Sequence, residues 1–470
     1  MKKTISGVLL ALTAVFALVA CGKKKTTEQK GTTEEPIIAN GKNITFYCWN
    51  NEFQSRLRKY YPNYGKNLSA QADILKDGTT ITWTMVPNKD GSYQSALDAA
   101  LAQNPIAVDM FVFEADYATK YVKSDYVVDM AELGVDQSKQ YQYTVDIITN
   151  AAGKKVGSSW QGCPGCICYN ENVAKAVFGN SITIEQMDAK LSKDKATFDD
   201  TAAALEAADE KYAMLIGPAC WYRTYSNNLS GKMYDGTNVT IDENLFQYVI
   251  DTKEYATNGY ILGVDDTYGL WADDWGAGMA ADSNALCCFA CPWFTDFSLK
   301  GYCEVADGQS SPWRVVKGYK SWFWGGTWLT ATTEGIKDAT KKAAIADIIK
   351  QMTTNKDVLL ALSKGELDFT NNKEAMEALA DDATATNTYF GGQNTYAIYA
   401  KSVLAADMSN NSDYDQQVAE NFQSSWMPYF QGTKTAAQCW DKFLENFESA
   451  TGKVAGKPTN VTIADDITIA

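Results

Sequence analysis

The chain of 470 residues contains no histidine. That absence excludes a Ser-His-Asp triad, a Cys-His pair, a His-ligated zinc and a haem-attachment motif. Arginine is nearly as scarce, with Arg56, Arg58, Arg223 and Arg314 alone, so bidentate phosphate clamps are few. Positive charge is outweighed throughout: 42 Lys and Arg against 57 Asp and Glu leave a net charge of −15. Nucleic acid is therefore not an expected partner, because its phosphates call for clustered cations. Beyond the N-terminus no uninterrupted apolar run approaches 18 residues, so no membrane-spanning helix is expected in the body. No P-loop and no GxGxxG occurs. Asn88-Lys89-Asp90-Gly91 fails as a calcium loop: with Gly91 at position 6 the loop would begin at Val86 and end at Leu97, where acidic ligands are required. Neither a metal nor a cofactor is expected. Acid-base chemistry stays open, since 57 carboxylates remain, and glycoside hydrolysis is the main enzymatic reading left.

What is present begins with an address. Lys2 and Lys3 precede an apolar run from Ile5 to Ala20, broken only by Ser6, Gly7 and Thr13. Residues 1–20 read as an export signal. The run ends Leu18-Val19-Ala20-Cys21-Gly22, which resembles a bacterial lipobox with Cys21 as the acylated first residue. Several acyl chains on one cysteine anchor a protein stably. Loss of Lys2 and Lys3 with the signal takes the net charge from −15 to −17. Residues 21–41, rich in Lys, Thr, Glu and Gly, read as a flexible tether. The expected location is extracytoplasmic, lipid-anchored to the bacterial cell membrane.

The remainder is long enough for two or three domains and has a globular balance of 46% hydrophobic and 21% charged residues. Ile44–Trp49, Thr79–Val86 and Val108–Phe113 read as strands. Helical potential lies between them, around Glu52–Tyr60 and Ser92–Gln103. Alternation of this kind argues an α/β sheet with parallel connections. Asp242 can cap a helix carrying Leu245, Phe246, Val249 and Ile250 on one face, with Asn258-Gly259 as its stop. Ile345, Ile348, Ile349 and Met352 mark another helix, and Trp440, Phe443, Leu444 and Phe447 a terminal one.

Cys163-Pro164-Gly165-Cys166 has the C-x-x-C spacing of thiol-disulfide exchange. Its flanks read as a turn entering a strand, without the helix that would stabilise a thiolate. Buried packing or a structural disulfide is the expected role, and Cys287-Cys288-x-x-Cys291 is too distant for a convincing zinc site. The 13 tryptophans are the positive signal. Many sit beside Gly, Asn, Asp or Pro, near strand ends where α/β sheets form sites. A sugar presents apolar C–H faces ringed by hydroxyls, and wants aromatic platforms edged by carboxylates and amides. Trp49-Asn50-Asn51-Glu52 and Asp273-Asp274-Trp275 have that mix.

Taken in order, several segments resemble the solute-binding lipoproteins of carbohydrate ABC importers, the maltose-binding-protein-like family. They are the lipobox, Cys48–Glu52, Val108–Tyr117, Pro164-Gly165 with Tyr169-Asn170, Cys291–Phe294, and Trp324–Leu329 before a long helix. The resemblance implies a two-lobed periplasmic-binding-protein-like α/β fold (type II), each lobe a mixed or parallel sheet flanked by helices, with a hinge and a central cleft. It places the first lobe at 42–165 and 331–385, the second at 170–323 and 386–455, hinge crossings at 166–169 and 324–330, and a tail at 456–470. It implies ligand-binding residues Trp49, Asn51, Glu52 and Asp116 on the first lobe, and Trp221, Trp271, Asp274, Trp275 and Trp293 on the second. Trp328 lies beside the second crossing. In this scheme Trp221, Trp275 and Trp328 stack on sugar rings, while Glu52, Asp116 and Asp274 accept hydroxyl hydrogen bonds and Asn51 donates and accepts. The implied partners are a mono- or oligosaccharide, ABC permease subunits and the membrane through Cys21, for a monomer that binds without turnover.

Three other readings stay open. A secreted glycoside hydrolase would lose activity on substitution of one Asp or Glu. A binding protein for a polyamine or peptide would keep the fold and change the ligand. A thiol redox protein would depend on Cys163 and Cys166.

Overall fold

The computed structural model describes residues 37–89 and 91–470. The export signal, Cys21 and most of the expected tether lie outside the described residues. The chain enters at Asn40, whose amide donates to Gly78 O (3.0 Å) and whose side chain donates to Thr79 Oγ1 (2.9 Å).

Strands β1 (Asn43–Cys48), β2 (Tyr64–Ser69), β3 (Ala72–Leu75), β4 (Thr80–Met85) and β5 (Met110–Glu114) come first, followed by the short β6 (Ser158–Ser159). The chain then forms β7 (Cys166–Asn170), β8 (Ala213–Leu215), the short β9 (Val239–Thr240), β10 (Ala285–Ala290) and β11 (Trp313–Val316), and returns as β12 (Thr327–Ala331). One seven-stranded sheet has the order β2-β3-β4-β1-β5-β12-β6, and a four-stranded sheet the order β11-β7-β10-β8. Both are mixed. β1 pairs parallel with β4 and β5, whereas β12 returns antiparallel against β5. β8 and β10 are parallel, and β7 runs antiparallel to β10 and β11.

Each sheet carries its own buried core. Phe46, Ile81, Phe111, Leu329, Ile345 and Ile348 belong to the first, and Ile167, Leu215, Leu245, Phe289, Phe422 and Phe443 to the second. The apolar stripes predicted at Ile345–Met352 and Trp440–Phe447 fall within helices Ala339–Thr353 and Ala436–Thr451, which bury those faces. Helix Glu52–Tyr60 has the expected bounds. Helix Glu243–Thr257 is capped by Asp242, whose carboxylate accepts from Asn244 N (2.9 Å), and ends at Asn258. Such a cap satisfies a backbone donor that the helix itself leaves open.

Among the described residues, neighbouring stretches connect the lobes. Cys166–Tyr169, expected as a crossing, lies wholly in the second sheet, and Thr327–Thr330 wholly in the first. The passages are instead 160–165, 322–326 and 368–371, and they lie side by side. Gly162 N donates to Phe369 O (2.9 Å) and Asn371 N to Trp160 O (2.8 Å) on one flank; Gly165 N donates to Trp322 O (2.7 Å) and Trp324 N to Cys163 O (3.2 Å) on the other. Gly165 has no room for a side chain, since a Cβ there would lie 2.1 Å from the Trp322 ring. A change of core falls between Leu362 and Phe369, not at residue 385, and Val403 and Met408 pack back onto the first core before Val418 rejoins the second. Helix Lys373–Ala380, expected in the first lobe, buries Met376 and Leu379 in the second. The tail also folds: Ala455–Gly456 pairs with β9, and Val461–Ile463 with Ile467–Ile469. No helix among the described residues is long and apolar enough to cross a membrane.

Candidate functional site

The carboxyl ends of parallel strands build both walls of a cleft. On the first lobe, Asn88 follows β4, Trp49, Asn50 and Glu52 follow β1, and Glu114 ends β5 ahead of the turn Ala115–Tyr117. On the second, Arg223 follows β8, and Trp293 and Phe297 follow β10. Side chains at these ends point away from the sheet into the space where the chain changes direction, the usual place for a ligand in α/β folds. Gln161 and Trp324–Gly326, from two of the connecting passages, line the cleft with Thr327 at the start of β12. The enclosed volume is about 420 Å³, within the range of small-molecule sites.

Aromatic rings dominate one side. Trp271 is 57% exposed, lies 6.4 Å from Trp293 at 18°, and meets Trp324 at 5.8 Å. Its φ of 70° is left-handed, a conformation that costs a side-chain-bearing residue free energy and is held only where neighbours dictate it. Behind it Trp275 packs edge-on at 5.2 Å. Trp293 Nε1 donates to Trp324 O (2.9 Å), and a Cβ on Gly325 would come within 3.1 Å of that nitrogen. Gly325 and Gly326 take φ values of 73° and 103°, which glycine adopts without strain.

The polar groups cluster opposite. Arg223 and Asp116 join the lobes in a bidentate pair at 2.8 and 2.6 Å, and the guanidinium lies 5.1 Å from the centre of a Trp324 ring. Glu52 Oε1 accepts from Gln161 (3.2 Å), whose amide also reaches the buried Asp368 (3.3 Å). Burial, helped by the charge of Asp368, pushes Glu52 up to about 7. Glu114 accepts from the Asp116 amide (3.0 Å), and burial, with the neighbouring Asp116 charge, pushes it up to about 8.

Of the residues expected to contact ligand, Trp49, Glu52, Asp116, Trp271 and Trp293 line this cleft. Five do not. Trp221 is fully buried against Tyr255 (4.5 Å) and donates to Thr252 Oγ1 (3.0 Å). Trp328 points into the first core, stacked on Phe113 at 10° and donating to Thr144 O (3.0 Å). Trp275 is buried and backs Trp271 without reaching the cavity. Asp274 accepts from Thr267 Oγ1 (2.5 Å) on the outer loop. Asn51 is an exposed residue at the helix start, and its neighbour Asn50 lines the cleft instead. Gln161, Arg223, Tyr117, Glu114 and Trp324 also line the cleft, although none of them is among the ligand contacts that the sequence implies. The rarity of arginine was the one signal that could have drawn attention to Arg223.

All ten cysteines among the described residues are free thiols, nine of them buried. Burial holds Cys163 and Cys166 well above the ordinary thiol range, which disfavours the thiolate that exchange chemistry needs. Among the described residues no group of three or more His, Cys, Asp or Glu side chains is arranged to hold a metal ion.

No family model and no curated protein sequence matches the chain. Solved structures do. An extracellular solute-binding protein family 1 member matches with a TM-score of 0.69 at 17% identity, covering 87% of this chain and 99% of its own. The ABC transporter associated binding protein of B. animalis subsp. lactis, in complex with beta-1,6-galactobiose, matches at 0.61 and 16%, covering 88% and 99%. The ABC substrate-binding protein of Listeria monocytogenes in complex with cycloalternan matches at 0.61 and 14%, with the same coverage. At such identities the likeness is one of fold, and the chain has the two-lobed α/β fold of extracellular solute-binding proteins.

Proposed function

We propose that this chain captures a sugar or oligosaccharide between its lobes and presents it to the permease of an ABC transporter, from the outer face of the membrane to which Cys21 anchors it. The observation that carries this reading is the makeup of the cleft. Trp49, Trp271, Trp293 and Trp324 offer flat apolar faces, while Glu52, Glu114, Gln161 and Arg223 offer hydrogen-bonding groups around them. That is the complement of a pyranose, with apolar faces and a polar edge. The solved relatives in complex with galactobiose and cycloalternan support the same class.

The mechanism follows from the layout. Ligand closes the two walls by touching both, and shifts the open-closed balance only by as much as it prefers the closed state. The three hydrogen-bonded passages allow bending while keeping register. Left-handed residues occur in or beside each, at Cys163 (φ 49°), Gly325 and Leu367 (φ 55°). No turnover is needed, and none is proposed. Thermal stabilisation against a panel of mono- and oligosaccharides tests the reading: a ligand at 100 times its Kd adds about 2.7 kcal/mol. The sugar should be recovered intact. Cleavage of the bound sugar, or stabilisation by peptides and by no sugar, would overturn it.

A further inference from the structure

The charges around the cleft do not balance. Glu52, Glu114 and Asp116 face it with Arg223 as the one cation among the lining residues, and both terminal nitrogens of Arg223 are occupied by Asp116. Arg56 approaches Glu52 only to 3.9 Å, and its short ion pair is with Glu366. Glu114 has no ion pair among the described residues; its recorded partner is a backbone amide.

A second observation marks the same corner. Tyr117 is 4% exposed, lines the cleft, and its hydroxyl has no hydrogen-bond partner among the described residues. Its ring meets Trp49 edge-on at 6.4 Å. A buried hydroxyl left without a partner costs free energy unless a ligand supplies one. Glu114 and Tyr117 also sit at a junction, where the aromatic chamber opens into a polar groove of about 620 Å³. There Asp98 and Glu420 face a single cation, Lys120, which pairs with Asp98.

A neutral sugar would satisfy the hydroxyl but make no use of Glu114, a buried carboxyl without a cationic partner among the described residues. An anionic ligand would find no free cation, with Arg223 already engaged. An ammonium group fits this corner: it donates to Glu114 and to the Tyr117 oxygen, and it is attracted to the face of Trp49. We propose that the saccharide taken up here carries a free amino group, a glucosamine-type unit whose ammonium docks against Glu114 and the Tyr117 hydroxyl beside Trp49. Burial holds Glu114 protonated near neutrality while it lacks a cation, so the docking ammonium takes the place of that proton, which leaves to solvent. This inference rests on the carbohydrate reading above and narrows it to basic sugars.

Calorimetric titration of the full-length protein near pH 7 tests it with matched probes: glucosamine with glucose and N-acetylglucosamine, galactosamine with galactose, mannosamine with mannose, and a glucosamine trimer with its N-acetylated form. At least one amine-bearing probe should bind tenfold or more tighter than its neutral partner. Glu114→Gln should bring that ratio close to one, and Tyr117→Phe should lower it several-fold. If a neutral probe binds and its amine partner binds no tighter, the amine proposal falls and the carbohydrate reading stands. If no saccharide binds while spermidine does, the carbohydrate reading falls and this proposal with it.

Discussion

Replacing Glu52 by glutamine should make the protein relatively more stable at alkaline pH and leave it nearly unchanged in acid. Glu52 lines the cleft, largely buried, bonded to Gln161 and facing Asp368, Glu366, Asp296 and Arg56. Burial, with the Asp368 charge next, raises its folded value from 4.5 to about 7. The folded protein thus holds this proton more tightly than the unfolded chain does. The stabilisation is full below about pH 4.5 and is lost as the pH rises through about 7. A gap of about 2.5 units at about 1.36 kcal/mol each comes to roughly 3 kcal/mol. Glutamine keeps a carbonyl oxygen for Gln161 to donate to and never ionises, so the variant escapes that loss. With an unfolding entropy of about 2.1 cal/mol/K per residue, a body of roughly 430 residues turns this into ~3 °C. The assay is a pair of thermal melts, wild type and Glu52→Gln, at about pH 4.5 and about pH 8.5. The difference in Tm should move by a few degrees in favour of glutamine between the two. A difference that does not change with pH would refute the burial argument for this carboxylate.

The tryptophans should separate cleanly by role. Trp271→Ala should weaken sugar binding about tenfold or more with little loss of stability, whereas Trp221→Ala should cost about 3–5 kcal/mol in denaturant melts. Because Trp271 holds φ at 70°, Trp271→Gly should be more stable than Trp271→Ala by about 1 kcal/mol. Arg223→Ala should release the interlobe pair with Asp116, raising the radius of gyration in solution scattering without ligand. The half-exposed setting of Asp116 predicts that about 1 M salt does the same to the wild type. A thiol reagent should leave Cys163 and Cys166 unmodified in the native protein and label them after denaturation, since both are buried with raised thiol values.

Much of the scaffold was legible because it rests on local periodicity. Ile345, Ile348, Ile349 and Met352 announce a buried helical face whatever they pack against, and Asp242 announces a helix start because the unpaired amides lie only residues away. Less legible were features set by distant partners. The hairpin of β2 and β3 has a first strand whose last four residues, 66–69, are all exposed, and so no alternation to read. Helix Lys373–Ala380 has an apolar stripe that fits either lobe. The connecting passages could not be told from the adjacent strands, because 160–165 and 166–170 share the same buried character.

The site divides along the same line. Trp49, Glu52 and Asp116 follow directly after strands whose carboxyl ends must open onto the cleft, so their placement was set by the sequence pattern of strand and loop. Trp221, Trp275 and Trp328 have the same kind of local company as Trp271 and Trp293, yet their rings turn into the cores. Nothing within a few residues of a tryptophan determines which way its ring faces once a sheet is behind it. Arg223 and Asp116 are 107 positions apart and meet at 2.6 Å; Trp49, 65 positions before Glu114, shares one cavity with Glu114 and Tyr117 only in the folded chain. From the sequence alone came an acidic α/β protein without histidine chemistry and with an aromatic-rich site. The closing of two walls on one another decided which aromatics face ligand and which carboxylates stand without a counter-charge, because burial and electrostatics are sums over groups that only the folded chain brings together.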